Sequence, residues 1–187
     1  MADFADLPGP KGKDNTPGLK TRVFIADEDD FLGIKGTKTT TAVGDSVTID
    51  GSHTFKPGKG FIQVYTTQDT NSFKLDPVGE RDGRGKKINL EFFHPGNSKE
   101  VAEFDRQIKN RSAIALVETP EGDFLQLGSA GLGLEILGSY DTGKLSGGRR
   151  GFTFKGEGYQ NGVLFYEGDI IRPDGSKINA LTGVVTP

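Results

Sequence analysis

A chain of 187 residues with a formal charge of −3 is long enough for one domain with a substantial core and short for two. Its hydrophobic share is 33% and glycine supplies 28 positions without a collagen-like period, which points to an all-β domain with many reversals. Cysteine is absent and histidine occurs only as His53 and His94, so disulfides, thiolate metal sites and a cysteine nucleophile are excluded, and a His-based metal cluster or a Ser-His-Asp triad is hard to assemble.

The small negative charge does not suit a dedicated nucleic-acid binder, because affinity for phosphate rests on clustered Lys and Arg and the counterions they release. It does suit a surface along which DNA passes without being held. No basic-then-apolar leader opens the chain and no apolar run approaches the ~20 residues of a membrane span, so the expectation is a protein made in the cytoplasm with no membrane contact.

In chain order, residues 1–20 hold three Pro and three Gly with almost no apolar pattern and read as an extended arm, pinned against a neighbouring subunit rather than ordered by its own packing. Residues 21–171 read as a mainly β domain, a sandwich or barrel-like sheet with one flanking helix, and 172–187 as a C-terminal tail. Period-two alternation predicts strands at Arg22–Ala26, Ser46–Asp50, Phe61–Thr67, Ser72–Asp76, Lys87–Phe93, Ala113–Thr119, Phe124–Gly128, Leu132–Leu137, Gly151–Lys155 and Val163–Tyr166. Within Lys87–Phe93, Ile88, Leu90 and Phe92 share one face while Asn89 and Glu91 take the other, the pattern of a half-buried strand. His94-Pro95-Gly96 breaks the chain before a helix predicted over 98–110, which Asn97 caps with Glu100 reaching back. Lys109 and Arg111 sit at its negative end, and Val101, Phe104 and Ile108 line its buried face. Thr119-Pro120-Glu121-Gly122 is a tight turn that makes Ala113–Gly128 a hairpin.

Charge clusters supply the candidate contact residues. Asp27, Glu28, Asp29 and Asp30 form a dense acidic run without the Asp-x-Asp-x-Asp-Gly spacing of a calcium loop, so an acidic turn or lumen-facing edge is expected. Gly79–Lys87 has no apolar side chain and is expected to project. Arg81, Arg84, Lys86 and Lys87 outnumber Glu80 and Asp82 there, leaving a cationic excess for an acidic surface such as Asp27–Asp30 of an adjacent subunit. Gly138–Lys144 has the spacing of a phosphate loop, but Leu145 stands where Ser or Thr must hold magnesium and 146–151 cannot begin a helix, so nucleotide binding is not expected. Lys144, Arg149 and Arg150 make a small basic cluster better suited to a neighbouring carboxylate than to DNA. Glu118 and Glu121 flank a turn where solvent leaves carboxylates ordinary, and both histidines read as turn residues rather than ligands. No catalytic, cofactor or metal residues are assigned.

The order of features over about residues 60–168 is similar to that of virion proteins of tailed bacteriophages, the tail tube proteins in particular. The residues that carry the likeness are the helix ending at Asn110, Ala113-Ile114-Ala115-Leu116-Val117-Glu118, the hairpin into Leu125-Gln126-Leu127-Gly128-Ser129, and Gly151-Phe152-Thr153-Phe154-Lys155-Gly156 after a Gly-rich stretch. The resemblance implies a non-enzymatic β-sandwich subunit in the virion, assembled in the host bacterial cytoplasm. It further implies hexameric rings, stacked into a tube that conducts DNA during ejection, with an arm and a long hairpin bridging rings. Met1–Lys20 and Gly79–Lys87 match those parts. The implied partners are copies of itself and other virion proteins, with DNA only in non-specific passage and no cofactor. Related folds also serve as head–tail connectors, terminators and capsid decorations. A carbohydrate- or surface-binding module would want an aromatic platform, and Trp is absent. A small hydrolase would need a polar constellation that the sequence does not display.

Overall fold

The structure, a computed structural model, describes residues 6–187, and in these the turn-rich sequence becomes fourteen short strands and one α-helix. The first strands are β1 (Arg22–Asp27), β2 (Phe31–Gly33), β3 (Thr54–Phe55), β4 (Ile62–Tyr65), β5 (Ser72–Val78) and β6 (Gly85–Pro95). Helix α1 (Lys99–Ile108) follows, then β7 (Ser112–Glu118), β8 (Phe124–Leu127), β9 (Leu134–Asp141), β10 (Gly151–Gln160) and β11 (Leu164–Tyr166). The chain closes with β12 (Asp169–Ile171), β13 (Lys177–Asn179) and β14 (Val185–Thr186). The first five residues of the predicted arm lie outside the described residues; residues 6–18 form neither strand nor helix.

Strand β7 is the branch point. On one side it pairs with β1, from Val23↔Val117 to Asp27↔Ala113. On the other, its second half takes β8 and its first two residues take β9. One wing then runs through β9, β10, β6 and β5, the other through β8 and β11, while β4 borders β1. The long wing curls back on itself: Thr67 donates its backbone N–H to the Phe93 carbonyl at 2.9 Å, and His94 Nδ1 lies 2.8 Å from the Tyr65 carbonyl. The result is a barrel-like sheet, as strand twist favours when many antiparallel strands are joined.

Inside it lies the first core, with Val23, Ile25, Ala115 and Val117 facing Ile88, Leu90, Phe92, Ile136 and Phe154. Helix α1 covers one opening with Val101 and Ile108 buried and Phe104 edge-on to Phe154 at 5.4 Å. A second core occupies the opposite faces of β1 and β7, where Phe24, Ile114 and Leu116 meet Phe31, Ile49, Phe61, Tyr166 and Ile170. Residues 172–187, set apart in the sequence as a tail, belong to this second core: β13 pairs with β12 and β14 with β13, and Ile178 and Ala180 are buried.

Several predicted boundaries move for physical reasons. Ser46–Asp50 is not a strand, since Asp45–Val47 turns as a 3₁₀-helix after Gly44 at φ +96° and only isolated bridges form beyond it. Leu132 exchanges backbone bonds with Ser129 in a turn, so β9 starts at Leu134. Strand β10 runs five residues past Lys155, because Gly156 and Gly158 face Leu90, Ile136, Ile88 and Leu134 where the core leaves little room for a side chain. His94, expected in a turn, lies inside β6 opposite Phe152. Ser98 rather than Asn97 caps the helix, accepting from Val101 N–H at 3.5 Å. A hydrogen bond with Ser98, then its own backbone amide, holds the Glu100 carboxyl below its ordinary value.

Phe154 is fully buried between Phe92, Phe104 and Phe152, whereas Phe104 is only half-buried. Phe154→Ala is expected to cost about 3–5 kcal/mol and Phe104→Ala clearly less. Denaturant midpoints of the two variants test the ranking, and equal losses would place Phe104 as deep as Phe154.

Candidate assembly interface

The acidic run caps the corner between β1 and β2, and most of it is engaged within its own chain. Asp27 accepts from Asp29 N–H at 3.1 Å and pairs with Arg111 at 2.6 Å. Glu28 accepts from the Ser112 hydroxyl at 2.6 Å and from Gly131 N–H. Asp30 pairs with Lys59 at 3.0 Å. Asp29 alone of the four keeps an exposed carboxylate with no partner among the described residues.

The predicted projecting loop is shorter than its composition suggested. Residues 79–84 form a turn, with Gly83 N–H donating to the Glu80 carbonyl at 3.1 Å and Gly79 at φ +88°, where a Cβ would fall on the Gly83 carbonyl. Arg81 and Arg84 are exposed on this turn. Lys86 and Lys87, expected in the loop, lie in β6 opposite Pro77 and Asp76, because strand pairing captures any backbone that can continue the ladder. Lys87 also pairs with Glu157 on β10 at 2.6 Å, a contact that raises its ammonium pKa. Among the described residues no ion pair joins Arg81 or Arg84 to the acidic run.

The outer face of the β5–β6–β10–β9 wing is open to solvent. Cross-strand register places Ser72, Glu91, Lys155 and Leu137 in one row, Lys74, Asn89, Glu157 and Glu135 in the next, and Asp76, Lys87 and Tyr159 in a third. Carboxylates and lysines alternate across it, with Lys155–Glu91 at 3.5 Å and Lys74–Asp76 at 2.7 Å, and Glu135 adds an acid without a lysine. The wing ends at β5, which has a strand on one side only among the described residues; Lys74, Asp76 and Pro77 blunt that free edge. Gly138–Asp141, the first part of the phosphate-loop spacing, belongs to β9 and forms no cradle.

Glu118 is the functional side chain that sequence reasoning misplaced. Its carboxylate is buried and binds Lys20 Nζ at 2.7 Å and Arg22 Nε at 2.6 Å, while its carbonyl accepts from Lys20 N–H at 2.9 Å. Arg22 also lies over the Phe24 and Phe124 rings. The root of the arm is therefore clamped to the end of β7. Further out along the arm, Thr16 N–H donates to Glu121 at 2.8 Å, the main cause of that carboxyl's lowered pKa. Residue spacing alone offers no signal for this, because Lys20 and Glu118 are far apart in the chain.

His53 lies on a loop, as expected, yet its side chain is wholly buried in the second core. Nδ1 accepts from Lys35 N–H at 3.0 Å, so the proton sits on Nε2 and is donated to Gln126 Oε1 at 2.8 Å. Gln126 in turn donates to the Gly128 carbonyl, and Gly128 N–H to Gln160. The Tyr166 hydroxyl accepts from His53 N–H and donates to the Asp169 carbonyl at 2.8 Å, and burial pushes its pKa up to about 12. The chain of bonds ties the 34–53 segment to β8 and β11. Among the described residues, no three His, Asp or Glu side chains are grouped to hold a metal ion. Comparison with known protein families, with curated proteins and with solved structures finds no match to this chain.

Burial holds the His53 pKa below its ordinary 6.5, against a weaker opposing effect of the Gln126 hydrogen bond. The unfolded chain therefore takes up the proton first as pH falls. The contribution of His53 to stability is full above about pH 6.5 and declines below it. Thermal melts from pH 7.5 to 5.5 should show this decline, and His53→Gln, less stable at neutral pH, should lack that part of the slope. Glu118→Ala is expected to cost about 1–3 kcal/mol and to expose the chain at Lys20 and Arg22 to trypsin. Unchanged cleavage rates would separate Glu118 from arm attachment.

Proposed function

We propose that this chain is a self-assembling structural subunit of a tailed-phage virion that builds the stacked rings of a tail tube. The observation that carries this reading is the β5–β6–β10–β9 wing: one face is sealed in the core, the other is open and laced with charge, and among the described residues the sheet stops at β5, whose outer edge is unpaired. An open edge is a liability that another copy removes by continuing the sheet, and repetition around a ring leaves no edge exposed. Side-by-side wings would line a bore with Asp76, Glu91, Glu135 and Glu157 set among Lys74, Lys87 and Lys155. Such a wall lets a polyanion slide, because it offers no cationic cluster to capture phosphate. Six subunits per ring, other virion proteins as neighbours and DNA only in passage follow from the resemblance. The arm, anchored at Glu118 and Glu121 and exposed over residues 6–15, supports a role in reaching the next subunit.

Negative-stain microscopy with sedimentation of the purified protein tests this reading. Rings or tubes are expected. A monomer at every concentration would overturn it, and rings that never stack would point to a connector. Exposed ion pairs contribute only about 0–1 kcal/mol each, so their effect shows when repeated around a ring. Reversing Arg81 and Arg84 to Glu should shorten tubes and leave monomer stability within about 0.5 kcal/mol. Tubes of normal length in that variant and across a salt series would make the turn a solvated one.

A further inference from the structure

Among the described residues the longest connection between strands is 34–53, from β2 to β3. Its two limbs run side by side: Lys38 N–H donates to the Thr48 carbonyl and Asp50 N–H to the Gly36 carbonyl, both at 2.9 Å, and Thr37 bridges Ile49. Residues 39–44 form an exposed tip. Below the tip the limbs lie over the second core as a strap, with Ile49 buried and its N–H donated to the Phe165 carbonyl at 2.9 Å. Gly168 lets the end of the strap close on the β11–β12 connection, since a Cβ there would fall on the Gly51 carbonyl. At the base both limbs are tied through the ring of His53, whose Nδ1 accepts from Lys35 N–H at 3.0 Å.

This ring cannot take a second proton where it lies. The Gln126 side chain donates to the Gly128 carbonyl at 3.0 Å, which turns its oxygen toward His53 and requires the ring proton on Nε2. A proton added at Nδ1 would point at the Lys35 N–H, donor against donor. The ring has little space to turn away, with the Tyr166, Phe31 and Phe61 rings at 5.0, 5.5 and 6.2 Å. Among the described residues no packed element brings a free carboxylate to it. Strand β2 and the residue before β4 present Phe31 and Phe61, β8 presents Gln126, and β11 presents the Tyr166 hydroxyl, which is committed to the Asp169 carbonyl. The carboxylates of Asp169 and Glu167 are engaged by Asn179 and Lys38, each at 3.2 Å, and Asp50 is exposed. From its own segment the ring meets Lys35, whose charge adds to burial in disfavouring a cation.

We propose that His53 is the latch of a pH-operated strap: in mild acid, proton uptake at Nδ1 releases the base of 34–53 from the second core while the sheet around the first core stays closed. Opening lets water serve both ring N–H groups and frees the Lys35 N–H, so the charged ring is satisfied only in the open state. The release is local because the first core contains no residue of the strap, whereas the second includes Ile49 and packs Ile34. Phe31, Phe61 and Tyr166 are the apolar side chains it uncovers. Since the closed state holds the imidazole below its ordinary 6.5, the open state binds the proton first and gains population as pH falls. At pH 5.5 the gain is at most about tenfold, the extent to which an imidazole of ordinary pKa is drawn to its charged form one unit lower. The latch is a property of a single chain and does not depend on assembly.

Amide hydrogen exchange of the full chain at pH 7.5 and pH 5.5, with times scaled to the intrinsic exchange rate, tests the latch. The Lys35, Lys38, Ile49 and Asp50 amides should open several-fold more often at the lower pH, within that tenfold limit, while the Leu90 and Phe154 amides of β6 and β10 keep their protection. With only two histidines in the chain, ¹⁵N spectra of the rings follow the latch directly, because His53 carries its proton on Nε2 and His94, 2.8 Å from the Tyr65 carbonyl, carries one on Nδ1. Protonation of His53 Nδ1 should run in step with the strap amides. In His53→Gln the extra opening at pH 5.5 should disappear; should that variant not fold, the wild-type exchange and ring titration decide alone. Strap amides that gain nothing at pH 5.5 would overturn the latch, and so would an equal gain in β6 and β10, which would make the response global. A gain that persists in folded His53→Gln would assign it to another group and overturn it as well.

Discussion

Two strands buried on both faces hold the molecule together. In most antiparallel sheets one face meets the core and the other meets water, and the strands alternate accordingly. Here β1 and β7 have cores on either side, so Val23, Ile25, Ala115 and Val117 point one way and Phe24, Ile114 and Leu116 the other, all buried. Each such side chain contributes on the order of 1.5–3 kcal/mol when fully removed from water. The small sheets β2–β3 and β12–β13–β14 have too few residues to be stable alone, and they persist because they cover the second face of this pair.

The same constraint leaves the long wing open. Strands β5, β6, β10 and β9 bury their inner faces on the first core, but no layer covers their outer faces, which carry the charge ladder instead. The molecule is thus asymmetric: one side of the β1–β7 pair is finished by its own chain, the other ends in a polar sheet whose last strand is paired on one side only among the described residues. Exposed charge is sorted by sign as well, with cations on the β9–β10 loop and carboxylates around the β7–β8 turn.

Polar groups inside the second core play a different part. His53, Gln126, Gln160 and Tyr166 satisfy one another and nearby backbone groups, so they cost little while fixing how the 34–53 loop lies against β8 and β11. The Glu118 clamp performs the same service for the arm, since a buried carboxylate with two cationic partners tolerates one position of Lys20 and Arg22 only.

What the sequence determined by itself was the local pattern. Alternation in Ile88-Asn89-Leu90-Glu91-Phe92, the Pro120–Gly122 turn and the apolar stripe Val101, Phe104, Ile108 were legible because each depends on neighbours within a few residues. The absence of cysteine, and the mainly β class that glycine and short alternations imply, were equally plain. Tertiary structure decided the rest. Strands of two or three residues, such as β3 and β14, carry no periodicity and exist only through partners distant in the chain. Gly156 and Gly158 looked like the end of a strand, and only the ladders with β6 and β9 on either side explain why β10 continues. Lys87 looked like loop charge until pairing placed it across from Asp76 and Glu157. His53 and Glu118 acquired their roles from burial and ion pairing, which are properties of three-dimensional neighbours that no single window of sequence contains.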